Sequence, residues 1–298
     1  MSWTALLAVI FWGFSFIATK MALREVHPFT LLTLRYAIGA ILLLLFQMGR
    51  HRGFLKLFSP RDWIYMVILA AVGVSGLGLL QAYGLLYTTA INTGWIIAIN
   101  PVLIALFARF FLGEAITMGK VSGILLGFCG VFLIISKGVF SFSLFQFAST
   151  YGDFLVFASA LAWSGFTIGG KEFISRFPPL ATVTIIMLAG CLLVLPLSLL
   201  KGEWSNLIHL SITAWAGIFF LGIFCSGLGY LFWYSALEKR DSGVIGMYLY
   251  LEPFATLIGA HFLLGEKIEW ITLMGGGLIL CGVFLATHTP SGKSSIKG

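Results

Sequence analysis

The chain consists of long, nearly unbroken apolar runs separated by short polar joints. Ten of these runs reach the roughly 20 residues with which a helix crosses a hydrocarbon core. They are Trp3 to Met21, Phe29 to Met48, Trp63 to Leu86, Asn92 to Leu112, Thr117 to Ser136, Tyr151 to Gly170, Leu180 to Leu200, Thr213 to Ser235, Gly243 to Leu264 and Glu269 to Thr287. The joints between them are too short for a separate soluble domain, and the longest polar or irregular pieces are Gly49 to Arg61, Gly138 to Thr150 and His288 to Gly298. The pattern predicts an all-α membrane protein of ten transmembrane helices.

The same pattern is written twice. From Pro101 to Leu133 and from Pro253 to Leu285 the sequence aligns without a gap at an offset of 152, with 14 of 33 positions identical. The identities include the proline, Leu-Gly-Glu at Leu112 to Glu114 and Leu264 to Glu266, and a closing Cys-Gly-Val-Phe-Leu. A shared proline, acid and cysteine in register is more than apolar composition produces, so the chain reads as two homologous halves. The expected boundaries are 1–137 for the first five-helix repeat, 138–150 for the inter-repeat loop, 151–287 for the second repeat and 288–298 for a basic polar tail. Five crossings per half reverse the second copy, so the repeats are expected to be inverted.

Composition agrees with a membrane solvent: 59% of the residues are hydrophobic, only 10% are charged, and the mean hydropathy is +1.02. The net charge of +7 lies in joints between apolar runs, which reads as loop charge and not as a nucleic-acid surface. Eleven Lys and Arg fall on the side of both termini, against five on the other side, namely Lys20, Arg24, Lys137, Lys201 and Lys267. This bias places both termini in the cytoplasm. The four cysteines, Cys129, Cys191, Cys225 and Cys281, sit inside apolar runs as small hydrophobes. The N-terminus has no basic leader or small-residue cleavage site, so the first run is expected to be retained.

Candidate chemistry is sparse and lies mid-span. Asn100-Pro101 and Glu252-Pro253 put a polar residue before a proline at matching places of the fourth and ninth spans. Proline removes a helical hydrogen bond and permits a kink, and breaks at matching points of two repeats point to a midplane binding site; bending for packing alone is the other reading. Tyr248, Glu252 and Thr256 share a face, as do Asn92, Ile96 and Asn100. Glu252 is the only acid near the centre of a span. A carboxylate there costs roughly 2.5 to 3.5 kcal/mol unless it faces water, a partner or takes up a proton. Aromatic and hydroxyl residues form stripes on the first span (Trp12, Ser15, Phe16, Thr19), the sixth (Trp163, Phe166, Thr167, Gly170) and the eighth (Ser226, Tyr230, Trp233, Tyr234, continued by Leu237). Such stripes suit either helix packing or an amphipathic organic solute. Arg35 is expected to snorkel to the interface, and Lys20 and Lys171 to end their helices. Glu114 and Glu266 are expected to cap or anchor the helix that follows each. Gly123, Gly127 and Gly275 to Gly277 predict close helix contacts, within one molecule or in a homodimer. The histidines are scattered, and no metal, cofactor or nucleophile constellation appears.

Ten spans in inverted halves, a Trp-centred first span followed by Lys (Trp12 and Lys20; Trp163 and Lys171), the two span prolines and the paired Leu-Gly-Glu resemble the EamA family of the drug/metabolite transporter superfamily over essentially the whole chain. The resemblance implies two inverted repeats around a central cavity, and carrier-mediated movement of small metabolites, often export of amino acids or related compounds, across the cell (inner) membrane. The expected partners are a small-molecule substrate and the lipid bilayer. The expected substrate-binding residues are Trp12, Ser15, Asn100, Trp163, Thr167, Tyr230, Trp233, Tyr248 and Glu252, with Pro101 and Pro253 as kinks. A lipophilic-cation or multidrug exporter with Glu252 as counter-charge is the alternative, and a channel or membrane scaffold is the non-carrier reading.

Overall fold

Each predicted apolar run overlaps helical residues of the computed structural model, which describes residues 2–50, 53–113, 118–138, 148–239 and 247–288. Helix α1 is Trp3–Ala22, α2 is Pro28–Arg50 and α3 is Pro60–Tyr87. Helix α4 is built from Ala90–Ile97 and Asn100–Leu112, and is followed by α5, Met118–Ser136, α6, Ala148–Arg176, and α7, Pro179–Lys201. Helix α8 joins Ile212–Phe219, Phe220–Gly229 and Tyr230–Lys239; α9 joins Met247–Leu251, Glu252–Gly259 and Ala260–Leu264; α10 is Trp270–His288. Among the described residues, seven helices are long and apolar enough to cross a membrane, and the three shorter apolar stretches Val121–Ser136, Tyr248–Leu264 and Trp270–Leu285 lie in α5, α9 and α10. Large apolar side chains such as Ile41, Leu45, Ile64, Leu192 and Phe262 are exposed on the outside. An outer surface of this kind is stable in lipid and not in water.

The most extensive helix pairings recur when the halves are exchanged. Helix α1 packs on α8 as α6 packs on α3, α1 on α9 as α6 on α4, and α2 on α8 as α7 on α3, while α2 with α7, α4 with α9 and α5 with α10 are self-related pairs. Small residues permit the tightest of these contacts. A Cβ on Gly130 would stand 2.5 Å from the Gly275 carbonyl, and one on Gly282 would stand 2.6 Å from that of Gly123. These glycines therefore close the α5–α10 seam inside the chain. Gly127 lies in the same seam through its backbone N, 2.7 Å from a Cβ on Gly282, while a Cβ of its own would face Val102 and Ile99 on α4.

Two buried clusters result. One is formed by α2, α3, α7 and α8, the other by α4, α5, α9 and α10, and α1 and α6 contribute to both. Helices α1 and α6 thus run through the middle, and their tryptophans are placed there with them.

Candidate functional site

The site begins with Trp12 on α1. Its ring centroid lies 6.0 Å from Trp163 of α6, 5.6 Å from Tyr230 and 5.3 Å from Trp233 of α8, and Trp163 lies 6.4 Å from Tyr230. Edge-on and tilted aromatic pairs of this kind contribute about 0.5–1.5 kcal/mol each beyond the area they bury. Four of the sequence-predicted residues are thus brought into one aromatic cluster contributed by both halves. The indole Nε1 of Trp12 donates to the Cys225 carbonyl at 3.2 Å, which fixes the ring. That carbonyl lies in a stretch of α8 wound as a π-helix, Phe220–Gly229, and α3 carries a matching π-turn at Ala71–Gly76. A π-turn leaves α-helical pairing locally and frees polar backbone groups for side chains.

The predicted hydroxyls are occupied locally. Ser15 Oγ donates to the Trp12 carbonyl at 2.6 Å and Thr167 Oγ1 to the Trp163 carbonyl at 2.8 Å, so each retains only acceptor capacity toward a solute. Tyr248 stands apart. Its hydroxyl accepts from the Ser2 backbone N–H at 2.7 Å, at the start of α1 and about 15 Å along that helix from Trp12.

Helices α4 and α9 are interrupted just before their prolines. In α4 the helical pieces Ala90–Ile97 and Asn100–Leu112 are separated by Ala98 and Ile99, and in α9 a 3-10 segment, Met247–Leu251, gives way to α-helix at Glu252. Each proline falls in the first turn of the new piece, where its missing N–H costs nothing. Asn100 is buried, with Oδ1 lacking a partner. Glu252 is 8% exposed, and its carboxyl makes no hydrogen bond or ion pair with any described residue. The backbone at Glu252 approaches α1 closely, since a Cβ on Gly13 would stand 2.9 Å from the Glu252 carbonyl. Thr256 Oγ1 seals the crossing by donating to the Gly13 carbonyl at 2.9 Å. The acid is thereby held beside the residue that follows Trp12.

Arg35 corrects an expectation. It does not snorkel: its Nε donates to Ser226 Oγ at 2.9 Å, inside the bundle on the π-helical part of α8. Cys225, next in the chain to Ser226, lies within electrostatic reach of both Arg35 and Glu252. Among the described residues the centre therefore carries Arg35 as a cation and Glu252 as an acid around the aromatic cluster. Spacing alone could not give Arg35 its direction, because the tightness of the α2–α8 contact, where a Cβ on Gly39 would meet Ser226 Cβ at 2.7 Å, decides which way it points.

Glu266 also differs from expectation. It caps a helix of the other half, not the one that follows it. Its Oε1 accepts from the Ala90 N–H at 2.9 Å and from Lys20 Nζ at 2.9 Å, and its Oε2 accepts from the Ile91 N–H at 3.0 Å. Lys20 Nζ donates as well to the Thr88 carbonyl at 2.6 Å. A carboxylate on the orphan amides of a helix N-terminus is favoured by the helix dipole. With side-chain exposures of 27% for Lys20 and 9% for Glu266, the pair forms a half-buried latch among α1, α4 and α9. Glu114, the inter-repeat loop from 139 to 147, the tail from 289 to 298, and the side chains of Lys171, Tyr234 and Leu237 lie outside the described residues.

This geometry can be set beside known proteins. The EamA-like transporter family matches residues 1–136 and 150–288. An "Uncharacterized transporter" of Archaeoglobus fulgidus is 32% identical over 94% of this chain and 95% of its own length. "Uncharacterized transporter YyaM" of Bacillus subtilis is 27% identical over 93% of this chain and 90% of its own. A protein of Streptantibioticus cattleyicolor named "Probable terminal-alkyne amino-acid exporter" is 26% identical over 98% of this chain and 94% of its own. A crystal structure at 22% identity superposes with a TM-score of 0.70 over 96% of each chain, which supports the fold. With both repeats matched, the chain belongs to the EamA-like transporter family of multi-pass membrane proteins.

Proposed function

We propose that the chain is a secondary transporter that exports amino acids or closely related amphipathic compounds by alternating access. The observation that carries this reading is the placement of Arg35 and Glu252 around the Trp12, Trp163, Tyr230 and Trp233 cluster. A free amino acid presents a carboxylate, an ammonium group and a side chain. The guanidinium suits the carboxylate, the acid suits the ammonium, and the rings supply an apolar wall with attraction for a cation at their faces. Asn100, with an unsatisfied buried oxygen, offers a further acceptor to the ammonium, and Ser15 and Thr167 offer theirs at the edges. The interrupted α4 and α9 supply points at which one half can move relative to the other. The name of the Streptantibioticus relative points the same way. A lipophilic cation would also find Glu252 and the rings, but it would be repelled by Arg35, which ranks amino acids first. The charge bias of the loops supports a cell (inner) membrane orientation with both termini cytoplasmic.

Counterflow in proteoliposomes tests the reading. Vesicles loaded in turn with amino acids, nucleosides and lipophilic cations should show saturable, trans-stimulated exchange with amino acids. Exchange with lipophilic cations alone would replace the substrate class, and flux without trans-stimulation would indicate a channel.

A further inference from the structure

Helices α2 and α8 meet at glycines on both sides of their contact. A Cβ on Gly39 would stand 2.7 Å from Ser226 Cβ, and one on Gly222 would stand 2.6 Å from Ile38 Cβ and 3.2 Å from the Arg35 carbonyl. Arg35 and Gly39 lie four residues apart on α2, as Gly222 and Ser226 do on α8, so the close approach sets Arg35 against Ser226. Ser226 is fully buried and Arg35 is partly exposed.

The second half contains the same contact without the arginine. There Ser75, at the place of Ser226, donates at 3.0 Å to the carbonyl of Gly190, which stands at the place of Gly39. The residue at the place of Arg35 is the buried Ile186. A serine at this position can therefore join the two helices by itself. Ser226 instead gives its oxygen to the guanidinium, accepting from Arg35 Nε at 2.9 Å.

That bond decides which edge of the guanidinium is left. A carboxylate can dock on an arginine fork across Nε and one Nη, or end-on across both Nη atoms. With Nε held by Ser226 the end-on edge remains, and neither Nη atom has a hydrogen bond or ion pair with a described residue. The guanidinium is always charged, so this edge is a standing anion site. The Tyr36 ring lies 5.7 Å from Arg35 Cζ, and its hydroxyl is fixed by donating to the Val74 carbonyl at 2.8 Å. Cys225, the residue before Ser226, holds Trp12 through its carbonyl. One stretch of α8 thus fixes both the fork and the ring of the aromatic cluster.

We propose that Ser226 is a positioning residue for substrate recognition: it pins Arg35 by Nε so that the fork receives the solute's carboxylate end-on, beside the aromatic cluster. The proposal deepens the amino-acid reading and rests on it for the solute, whereas the fork itself requires only a carboxylate. Without the Ser226 oxygen the guanidinium turns, both edges compete, and the carboxylate is no longer held at one place relative to the rings.

The test uses probes of one carbon skeleton: leucine; 4-methylpentanoate, which lacks the ammonium group; and 3-methylbutylamine, which lacks the carboxylate. In purified protein, phenylglyoxal modification of Arg35, followed by mass spectrometry of its peptide, should be slowed by both carboxylates and not by the amine. Ser226→Ala should raise the carboxylate concentration that gives half-protection about tenfold. In counterflow it should raise KM for leucine by a similar factor with the maximal rate kept. Ser75→Ala removes the equivalent helix bond of the other half and should leave half-protection unchanged. Should Ser226→Ala not fold, Ser226→Cys, of nearly the same shape with a weak acceptor, should give the same rise. Half-protection that the Ser226 variant does not move, or that Ser75→Ala moves equally, overturns the proposal. So do a lowered maximal rate with KM kept, equal protection by the amine, and an Arg35 that the reagent does not reach or the carboxylates do not protect. The amino-acid reading fails separately: absence of counterflow with every amino acid, while 4-methylpentanoate still protects Arg35 in a Ser226-dependent way, removes amino acids as the solute and leaves the fork.

Discussion

Helices α3 and α8 hold corresponding places in the two halves and begin with the same cap built in two ways. On α3, Ser59 is the N-cap, and Asp62 of the same helix accepts from its backbone N–H at 2.8 Å and from its hydroxyl at 2.7 Å. On α8, Ser211 is the N-cap, and the carboxylate comes from Glu25 in the α1–α2 joint, accepting from the Ser211 N–H at 2.8 Å and its hydroxyl at 2.5 Å. The centre repeats this lesson. Ser75 on the π-turn of α3 donates to the Gly190 carbonyl at 3.0 Å. Ser226, at the matching place on α8, instead accepts from Arg35, whose counterpart in the second half is Ile186 at an offset of 151. Asn100 of α4 likewise corresponds to Glu252 of α9 at an offset of 152. The scaffold is symmetric while the chemistry is not, which suits a carrier that must open alternately to two sides and yet bind one asymmetric solute.

The symmetric part should break equally from either half. Gly130→Val and Gly282→Val each drive a side chain into backbone across the α5–α10 seam. Both should cost about 3 kcal/mol or more, or abolish folding. Gly277→Ala, which meets nothing within 4 Å, should be neutral or stabilise by up to about 1 kcal/mol. Thermal unfolding in detergent measures all three, and unequal losses at Gly130 and Gly282 would refute the equivalence.

The asymmetric part should break from one half only. Arg35→Gln and Glu252→Gln each remove one charge-assisted contact, so each should weaken amino-acid binding roughly 10- to 100-fold, while the buried Ile186→Val should leave affinity alone. Normal amino-acid affinity in both charge variants would separate these residues from recognition. Trp163→Ala, which deletes a ring shared by the halves, should change the preference among amino-acid side chains by about tenfold with smaller loss for small substrates. Equal losses for every substrate would make the ring packing alone.

The smallest effect concerns the caps. Two hydrogen bonds from Ser211, the hydroxyl's the larger and the backbone's the smaller, hold the exposed Glu25 carboxyl below its ordinary range. A folded-state value below the unfolded one gives stability that is fully present above the unfolded pKa, about 4.3, and is lost as pH falls through the folded value. Ser211→Ala should flatten that acid limb. Ser59→Ala should do the same on α3, where Ser59 holds Asp62 low in the same manner. Melting curves from neutral to acid pH compare the two caps, and an unaltered acid limb in either variant removes that cap from the account.

The helices, the repeat and the local caps are written in the sequence. Apolar runs must satisfy their backbone internally in lipid and so become helices, Ser59 and Asp62 lie three residues apart, and Trp12 and Trp163 occupy matching places in runs that had to be central for both halves to share them. Only the tertiary structure decided which way each helix faces. Lipid and protein core are equally apolar, so Ile41, 57% exposed, and Leu43, fully buried, look alike in sequence. Rotation is fixed instead by where glycines let helices touch, as at Gly39 against Ser226. The direction of Arg35 follows from that contact. The reach of Glu25 to Ser211 and of Glu266 to Ala90 spans 186 and 176 residues. No local spacing carries such information, because each of these groups finds its partner only after the halves have packed.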